Sequence, residues 1–289
     1  MSRPHASLPV IALLTGLTML AFAANSLLTR MALHTTPLDA ASFTFVRIAA
    51  GAAMMTLLLL LRGERVRHTR ESWFTAAVMA VYAVAFSFSY RGLDTGAGAL
   101  LQFASAQLLM SAYGYWRGEK TSVLGLVLAL GGLVVFLAPS ASAPPIGSAA
   151  LMIVAGTMWG AFSLLGRASA SPVESTASSF LLALPLIALL MLLRHDAIQL
   201  DAFGMACAAV SGSLTSALAY VVWYWVRVRM TAISAGAVQL SVPVLSAMLG
   251  AMILGEQVSF KSGVSAAVVL AGVALVTSST TRTPDGAGR

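Results

Sequence analysis

Arg47 is the one charged side chain set well inside an apolar run of this sequence, some eight residues, or roughly 12 Å of helix, from the nearer end of that run. An ionisable group at such a depth in a bilayer is a functional candidate by default. Two roles fit it: counter-ion to the carboxylate of a solute, or an arginine satisfied by backbone carbonyls or by reaching towards the headgroups. Tyr82, Phe86 and Tyr90 recur at steps of four, which puts them on one helical face with Ser89 close by, and Tyr220, Trp223 and Tyr224 form a second aromatic group. Aromatic rings at mid-membrane suit the wall of a cavity for apolar or aromatic groups, which is the role expected of Tyr82, Phe86 and Tyr220. Tyr90, Tyr224 and Trp225 fall nearer the run ends, where an interfacial belt is expected. Asn25, Gln102, Gln107, Trp159, Ser163 and Gln239 are polar groups within apolar runs, where an unpaired polar group is costly, so they should face the interior of a helix bundle. There they either tie helices together or offer neutral donors and acceptors to a zwitterion or another uncharged polar solute.

Other chemistries lack their residues. The ten acids (Asp39, Glu64, Glu71, Asp94, Glu119, Glu174, Asp196, Asp201, Glu256 and Asp285) and the four histidines all fall in connections or at run ends. They are scattered over both ends of the runs, whereas a membrane-embedded transferase needs a cluster of them near one face, so no enzyme is expected. Cys207 is the single cysteine and lies in an apolar run, which excludes an intramolecular disulfide and a thiolate metal or haem site. No cofactor is expected.

Only a membrane places these residues sensibly. The chain of 289 residues is 58% hydrophobic and 9% charged, against about 25% charged in soluble domains, so a water-soluble fold is excluded. Runs near the ~20 residues that span the hydrocarbon core occur at 8–29, 39–61, 72–90, 96–116, 122–138, 148–167, 173–193, 202–225, 232–254 and 261–278. The expected fold is an all-α integral membrane protein of ten transmembrane helices. The first run exceeds the 7 to 15 apolar residues of a signal peptide and is read as retained. A net charge of +7 does not point to nucleic acid, because the basic residues form short clusters between the runs rather than a patch. With the N-terminus inside, twelve basic residues fall on the inner side (Arg3, Arg62, Arg65, Arg67, Arg70, Arg117, Lys120, Arg167, Arg227, Arg229, Arg282 and Arg289) and four on the outer (Arg30, Arg91, Arg194 and Lys261). Both termini are therefore expected to be cytoplasmic, in a bacterial-type inner membrane.

The sequence also repeats. An offset of 137 residues brings Ser26-Leu27-Leu28 and Arg30 onto Ser163-Leu164-Leu165 and Arg167, Gln102 onto Gln239, and Gly118-Glu119 onto Gly255-Glu256. A near-equal offset pairs two helix starts, Thr36-Pro37-Leu38-Asp39 and Ser171-Pro172-Val173-Glu174, each read as an N-cap, a proline at the first helical position and an acid at the third. Residues 1–138 and 148–279 are thus expected to be two five-helix repeats, joined by a proline-rich outer linker at 139–147 and followed by a cytoplasmic tail at 280–289. Five is odd, so the second repeat enters the membrane from the opposite side. Inverted repeats are a common architecture of secondary transporters, with the site between the halves.

Several of these stretches resemble the drug/metabolite transporter superfamily, in particular its EamA-type branch with two five-helix repeats. They are NSLLTR at 25–30 with FSLLGR at 162–167, FTFVRIAAG at 43–51, and SVPVLSAMLGAMILGEQVSFKSGVSAAVVLAGVALV at 241–276. The resemblance covers nearly the whole chain and is most specific in the last stretch, where a proline precedes a glycine-glutamate helix end. The first half departs from that pattern, with Ala106 where the second has Pro243. The resemblance implies an exporter of amino acids or metabolites, aromatic and other neutral amino acids among them. The small multidrug branch uses a membrane-embedded glutamate to exchange cations for protons; no acid here is so placed.

The expected function is a secondary transporter exporting small metabolites, neutral or aromatic amino acids first, by alternating access. The substrate-binding residues expected are Asn25, Arg47, Tyr82, Phe86, Gln102, Trp159, Ser163, Tyr220 and Gln239. The partners are a small-molecule substrate and the lipid bilayer, with a monomer the simplest assembly. Nucleosides and other uncharged polar metabolites are alternative substrates. A non-transporting scaffold, or a membrane-embedded enzyme, is the alternative function.

Overall fold

The computed structural model describes residues 7–66, 68–137, 145–165, 171–255 and 260–282. Arg3, His5, Arg67, Arg167, Glu256, Asp285, Arg289, linker residues 139–144 and tail residues 283–289 lie outside them. The described chain is all-α apart from one two-residue strand pair. Its helices are α1 (Leu8–Thr35), α2 (Ala40–Arg62), α3 (Arg70–Ser89), α4 (Thr95–Trp116), α5 (Val123–Leu137), α6 (Ile146–Leu165), α7 (Pro172–Leu193), α8 (Ala202–Gly212), α9 (Ala219–Arg227), α10 (Ala232–Gln239), α11 (Ser241–Leu254) and α12 (Phe260–Ser279). A π-helical segment, Ser213–Leu218, makes α8 and α9 one continuous rod. Among the described residues, seven stretches are long and apolar enough to cross a membrane: α1, α2, α3, α6, α7, the rod from α8 to α9, and the span from α10 to α11. α5 and α12 are shorter apolar helices, and α4 is diluted by Gln102, Ser105, Gln107 and Ser111.

Helix ends follow local chemistry. Ser171 caps α7 through the Glu174 amide, with Pro172 opening the helix, as its tetrapeptide predicts. The parallel expectation at Thr36-Pro37 is corrected. α1 runs on to Thr35, and the cap of α2 is Asp39, whose carboxylate accepts from the Ala41 and Ser42 amides and the Ser42 hydroxyl. A carboxylate accepts several donors at once, which the Thr36 hydroxyl cannot match. The same carboxylate accepts from the Gln199 amide at 3.0 Å and so ties the start of α2 to the start of the α8 rod. Gly118 and Gly255 sit at φ 76° and 70°, the left-handed backbone that ends a helix and favours glycine. Pro243 has no N–H to give the Gln239 carbonyl four residues back, and the helix breaks at Leu240 between α10 and α11, whereas α4, with Ala106 at the matching place, is unbroken.

The surface is the reverse of a soluble protein's. Leu60, Leu61, Trp116, Val134, Leu192 and Met252 are exposed, while Asn25, Arg47, Gln102, Gln107, Ser163 and Gln239 are buried. That distribution places hydrocarbon outside and polar groups within, and defines a multi-pass membrane protein. α3 packs on α6 and α7; α2 on α7 and α8; α4 on α6, α10 and α11; α1 on α8 and α11; and α5 on α12. Small residues set these distances. A Cβ at Gly156 would run into the Gln102 carbonyl, and one at Gly212 into the Arg47 carbonyl, so α6 lies directly on α4 and α8 directly on α2. The strand pair joins Glu119–Lys120 to Thr281–Arg282, holding the end of α12 against the turn before α5.

Candidate functional site

α1, α3, α4, α6 and α9 converge on one enclosed cavity lined by Phe22, Asn25, Ser26, Tyr82, Gln102, Phe103, Trp159 and Tyr220. Phe22, Asn25 and Ser26 share a face of α1 because they stand three and four residues apart. The free space is of the order of a single water molecule, so the walls are closed on one another. The rings form a continuous aromatic shell. Trp159 lies 4.8 Å from Tyr220, 5.2 Å from Phe22 and 5.5 Å from Tyr82, centroid to centroid.

Behind two of those rings sits Arg47, 1% exposed. Its Nη2 donates to the Tyr82 hydroxyl at 3.0 Å, the Ser216 hydroxyl at 3.2 Å and the Tyr220 hydroxyl at 3.3 Å, and its Nε donates to Ser216 at 3.3 Å. The guanidinium carbon stands 4.9 Å from the Phe86 ring centre and 5.4 Å from that of Tyr82. Among the described residues no carboxylate pairs with it, and Nη1 is buried without a hydrogen-bond partner. An unpaired buried cation is expensive. Hydroxyl bonds to a charged group recover about 1.5–3 kcal/mol each, and cation–π contacts about 0.5–2 kcal/mol. The site therefore holds a positive charge solvated by hydroxyls and rings rather than neutralised. Among the described residues Arg47 binds no backbone carbonyl, and it does not reach the surface.

A second layer fixes the walls. The Asn25 Oδ1 accepts from Ser211 at 2.6 Å and Thr215 at 3.4 Å. The Trp159 indole donates to Gln239 Oε1 at 2.5 Å, and Gln239 in turn donates to the Ala235 carbonyl at 3.1 Å. The Trp223 indole donates to the Ser163 hydroxyl at 3.2 Å, and the Tyr224 hydroxyl to the Phe162 carbonyl at 2.9 Å. Gln102 is different: it is buried, and its Oε1 has no partner among the described residues. Thr215 and Ser216, which reach Asn25 and Arg47, lie in the π segment, and Ser211 precedes it at the end of α8, next to Gly212, where the rod lies directly on α2.

Of the nine expected residues, Asn25, Tyr82, Gln102, Trp159 and Tyr220 line the cavity, and Arg47 lies immediately behind Tyr82 and Tyr220. Phe86 packs under Arg47, Gln239 holds the Trp159 wall from behind, and Ser163 holds Trp223, which packs edge-on to Phe22 of the wall. Tyr90 and Tyr224, expected in an interfacial belt, are buried at 0% and 1% exposure. Tyr90 packs edge-on to Phe86 at 4.8 Å, and the carbonyl under Tyr224 explains how its hydroxyl tolerates burial. Trp225 is only half-buried, with Arg229 stacked 3.6 Å from its ring centre. Phe22, Ser26 and Phe103 were not anticipated. The spacing of Phe22 from Asn25 is the signal that would have found the first, and the hydroxyl run from Ser211 to Ser216, not singled out in the sequence, is the signal that would have found the partners of Asn25 and Arg47.

Fold and site together define a multi-pass helical membrane protein with a polar, aromatic centre enclosed within its bundle. Residues 147–278 match the EamA-like transporter family. The chain is 48% identical over 267 residues to an uncharacterized protein of Pseudomonas aeruginosa, covering 91% of this chain and 93% of that one. It is 23% identical over 280 residues to an uncharacterized transporter of Archaeoglobus fulgidus, covering 92% and 96%. A protein of known crystal structure shares the fold with a TM-score of 0.78 at 18% identity, over 94% of this chain and 98% of that one. The chain belongs to the EamA-like transporter family, within the drug/metabolite transporter superfamily.

Proposed function

We propose that this protein is a secondary transporter that exports small metabolites, neutral and aromatic amino acids first, across the inner membrane by alternating access. The observation that carries this reading is the enclosed cavity whose wall combines five aromatic rings with two amides and a nearby buried cation. Such a wall suits an apolar or aromatic side chain joined to a polar head. In this reading the chain crosses the bilayer ten times, in two inverted repeats, 1–138 and 148–279, joined by 139–147 and followed by a cytoplasmic tail, 280–289.

The packing supports a repeat, because it survives exchange of the halves. α3 on α6 and α7 corresponds to α8 on α1 and α2, α4 on α6 corresponds to α11 on α1, and α2 with α7, α4 with α10 and α5 with α12 map onto themselves. Tyr82 and Tyr220 meet hydroxyl to hydroxyl although 138 residues apart, within one residue of the repeat offset. Phe22 and Trp159, 137 apart by their numbers, meet edge to face. A site between related halves of opposite orientation opens to either side as the halves exchange conformations. Asn25, Tyr82, Gln102, Trp159 and Tyr220 then contact the substrate, with Arg47, Phe86, Ser163 and Gln239 positioning them.

The test is flux into proteoliposomes of labelled amino acids, nucleosides and organic cations, with and without a pH gradient. Saturable flux of neutral amino acids, reduced in folded Tyr82→Ala and Gln239→Ala, is expected. Flux of cations alone, or of nothing, overturns the proposal.

A further inference from the structure

We infer that the cavity recognises its substrate by the carboxylate and the apolar body, and that the amine is dispensable, so that aromatic carboxylates lacking an amine are substrates too. This rests on the carrier reading above and deepens it.

The inference comes from counting protons on the hydroxyls between Arg47 and the cavity. A guanidinium only donates. Tyr82 and Tyr220 each receive an N–H from Arg47, at 3.0 and 3.3 Å, so each hydroxyl's own hydrogen must point elsewhere. The two hydroxyls share a single bond at 3.4 Å, which uses one of those hydrogens. Tyr220 donates to Tyr82 and is bonded to Ser216 as well, so the O–H left with no acceptor among the described residues is that of Tyr82, which lines the cavity. Polarised by the cation behind it, that O–H is a charge-assisted donor whose natural partner is an anion. Nη1 of Arg47 adds a further unused donor beside it.

The opposite charge has no comparable provision. Among the described residues no carboxylate lines the cavity, and the Asn25 oxygen is already taken by Ser211 and Thr215. An ammonium meets only neutral groups, the Gln102 Oε1, the Ser26 hydroxyl and the aromatic faces. The site's net charge of one positive is complementary to a monocarboxylate, and a zwitterion leaves that charge matched by the same end alone.

The experiment is competition against labelled phenylalanine in proteoliposomes, using unlabelled 3-phenylpropionate, which lacks the amine, and 2-phenylethylamine, which lacks the carboxylate. We expect 3-phenylpropionate to compete within about threefold of phenylalanine and phenylethylamine at least about tenfold more weakly, as loss of a bond to a charged group requires. Tyr82→Phe keeps the ring and removes the donor, and it is expected to erase most of the difference between the two competitors. Phenylalanine flux with phenylethylamine as good a competitor as 3-phenylpropionate, or with 3-phenylpropionate inert, overturns this inference and leaves the carrier standing. No flux of phenylalanine or 3-phenylpropionate, measured directly, overturns both.

Discussion

Replacing Trp159 by phenylalanine isolates one hydrogen bond between the cavity wall and the helix break behind it. The ring contacts with Phe22, Tyr82 and Tyr220 are largely kept, but Gln239 Oε1, fully buried, loses the indole N–H that reaches it at 2.5 Å. An acceptor so stranded costs about 1–3 kcal/mol, and the missing ring atoms add about 1 kcal/mol of lost packing. Gln239→Met strands the indole in the same way, so each single change is expected to destabilise by about 2–4 kcal/mol. In the double variant neither group is stranded. The coupling between the sites is therefore expected to be about 1–2 kcal/mol, with the double variant more stable than the sum of the singles. Equilibrium unfolding in mixed detergent micelles measures all four corners. Single losses that add within about 0.5 kcal/mol would refute the reasoning, because the two groups would then be satisfied independently.

Three further outcomes follow from the same geometry. Gly212→Ala places a methyl against the Arg47 carbonyl and is expected to cost about 1–3 kcal/mol by the same unfolding assay; Gly16→Ala, with nothing within 4 Å, should be neutral or slightly stabilising. Glu119 is buried and its carboxylate accepts from the Ala232 and Ile233 amides, both at 2.9 Å, capping α10 from the far half of the chain. Glu119→Gln keeps one acceptor and loses the charge at that helix start, an expected loss of about 1–2 kcal/mol, read as a lower melting midpoint. Burial pushes the Asp39 carboxyl up, but its bonds from Ser42, Gln199 and Ala41 outweigh this and hold it below its ordinary value of 3.8. A lowered acid contributes stability that is present above the unfolded value and lost as pH falls through the folded one. The stability gap between wild type and Asp39→Asn should therefore be constant at neutral pH and close below about pH 4; a gap that widens on acidification contradicts this.

How far the sequence could be read depended on whether the partner of each residue was local. Arg47 stood out because a charge in an apolar run needs no neighbour to be noticed, and Tyr82 and Phe86 because a step of four is set by the helix itself. The hydroxyls bonded to Arg47 come from Tyr82, 35 positions away, and from Ser216 and Tyr220, 169 and 173 positions away. Tertiary packing alone brings them together. Tyr90 and Tyr224 were misplaced for the same reason, since distance from a run's end predicts depth but not whether neighbouring helices cover the ring. The break at Leu240 was legible in Pro243, and the extension of α1 to Thr35 was hidden because Asp39, not Thr36, wins the cap. Glu119 looked like a loop acid, and its burial depends on the start of α10, more than a hundred residues on.

The central claim is that one cavity is reached in turn from either side of the membrane, and Gln102 tests it. Cys207 is the chain's single cysteine, so Gln102→Cys in a Cys207→Ser background gives one reactive thiol in the cavity wall. A membrane-impermeant thiol reagent is applied to either face of sealed vesicles, with and without transported solute. Labelling from both faces, slowed by the solute, is the result this account predicts. Labelling from one face only, under every condition in which the folded variant still carries the solute, would contradict it.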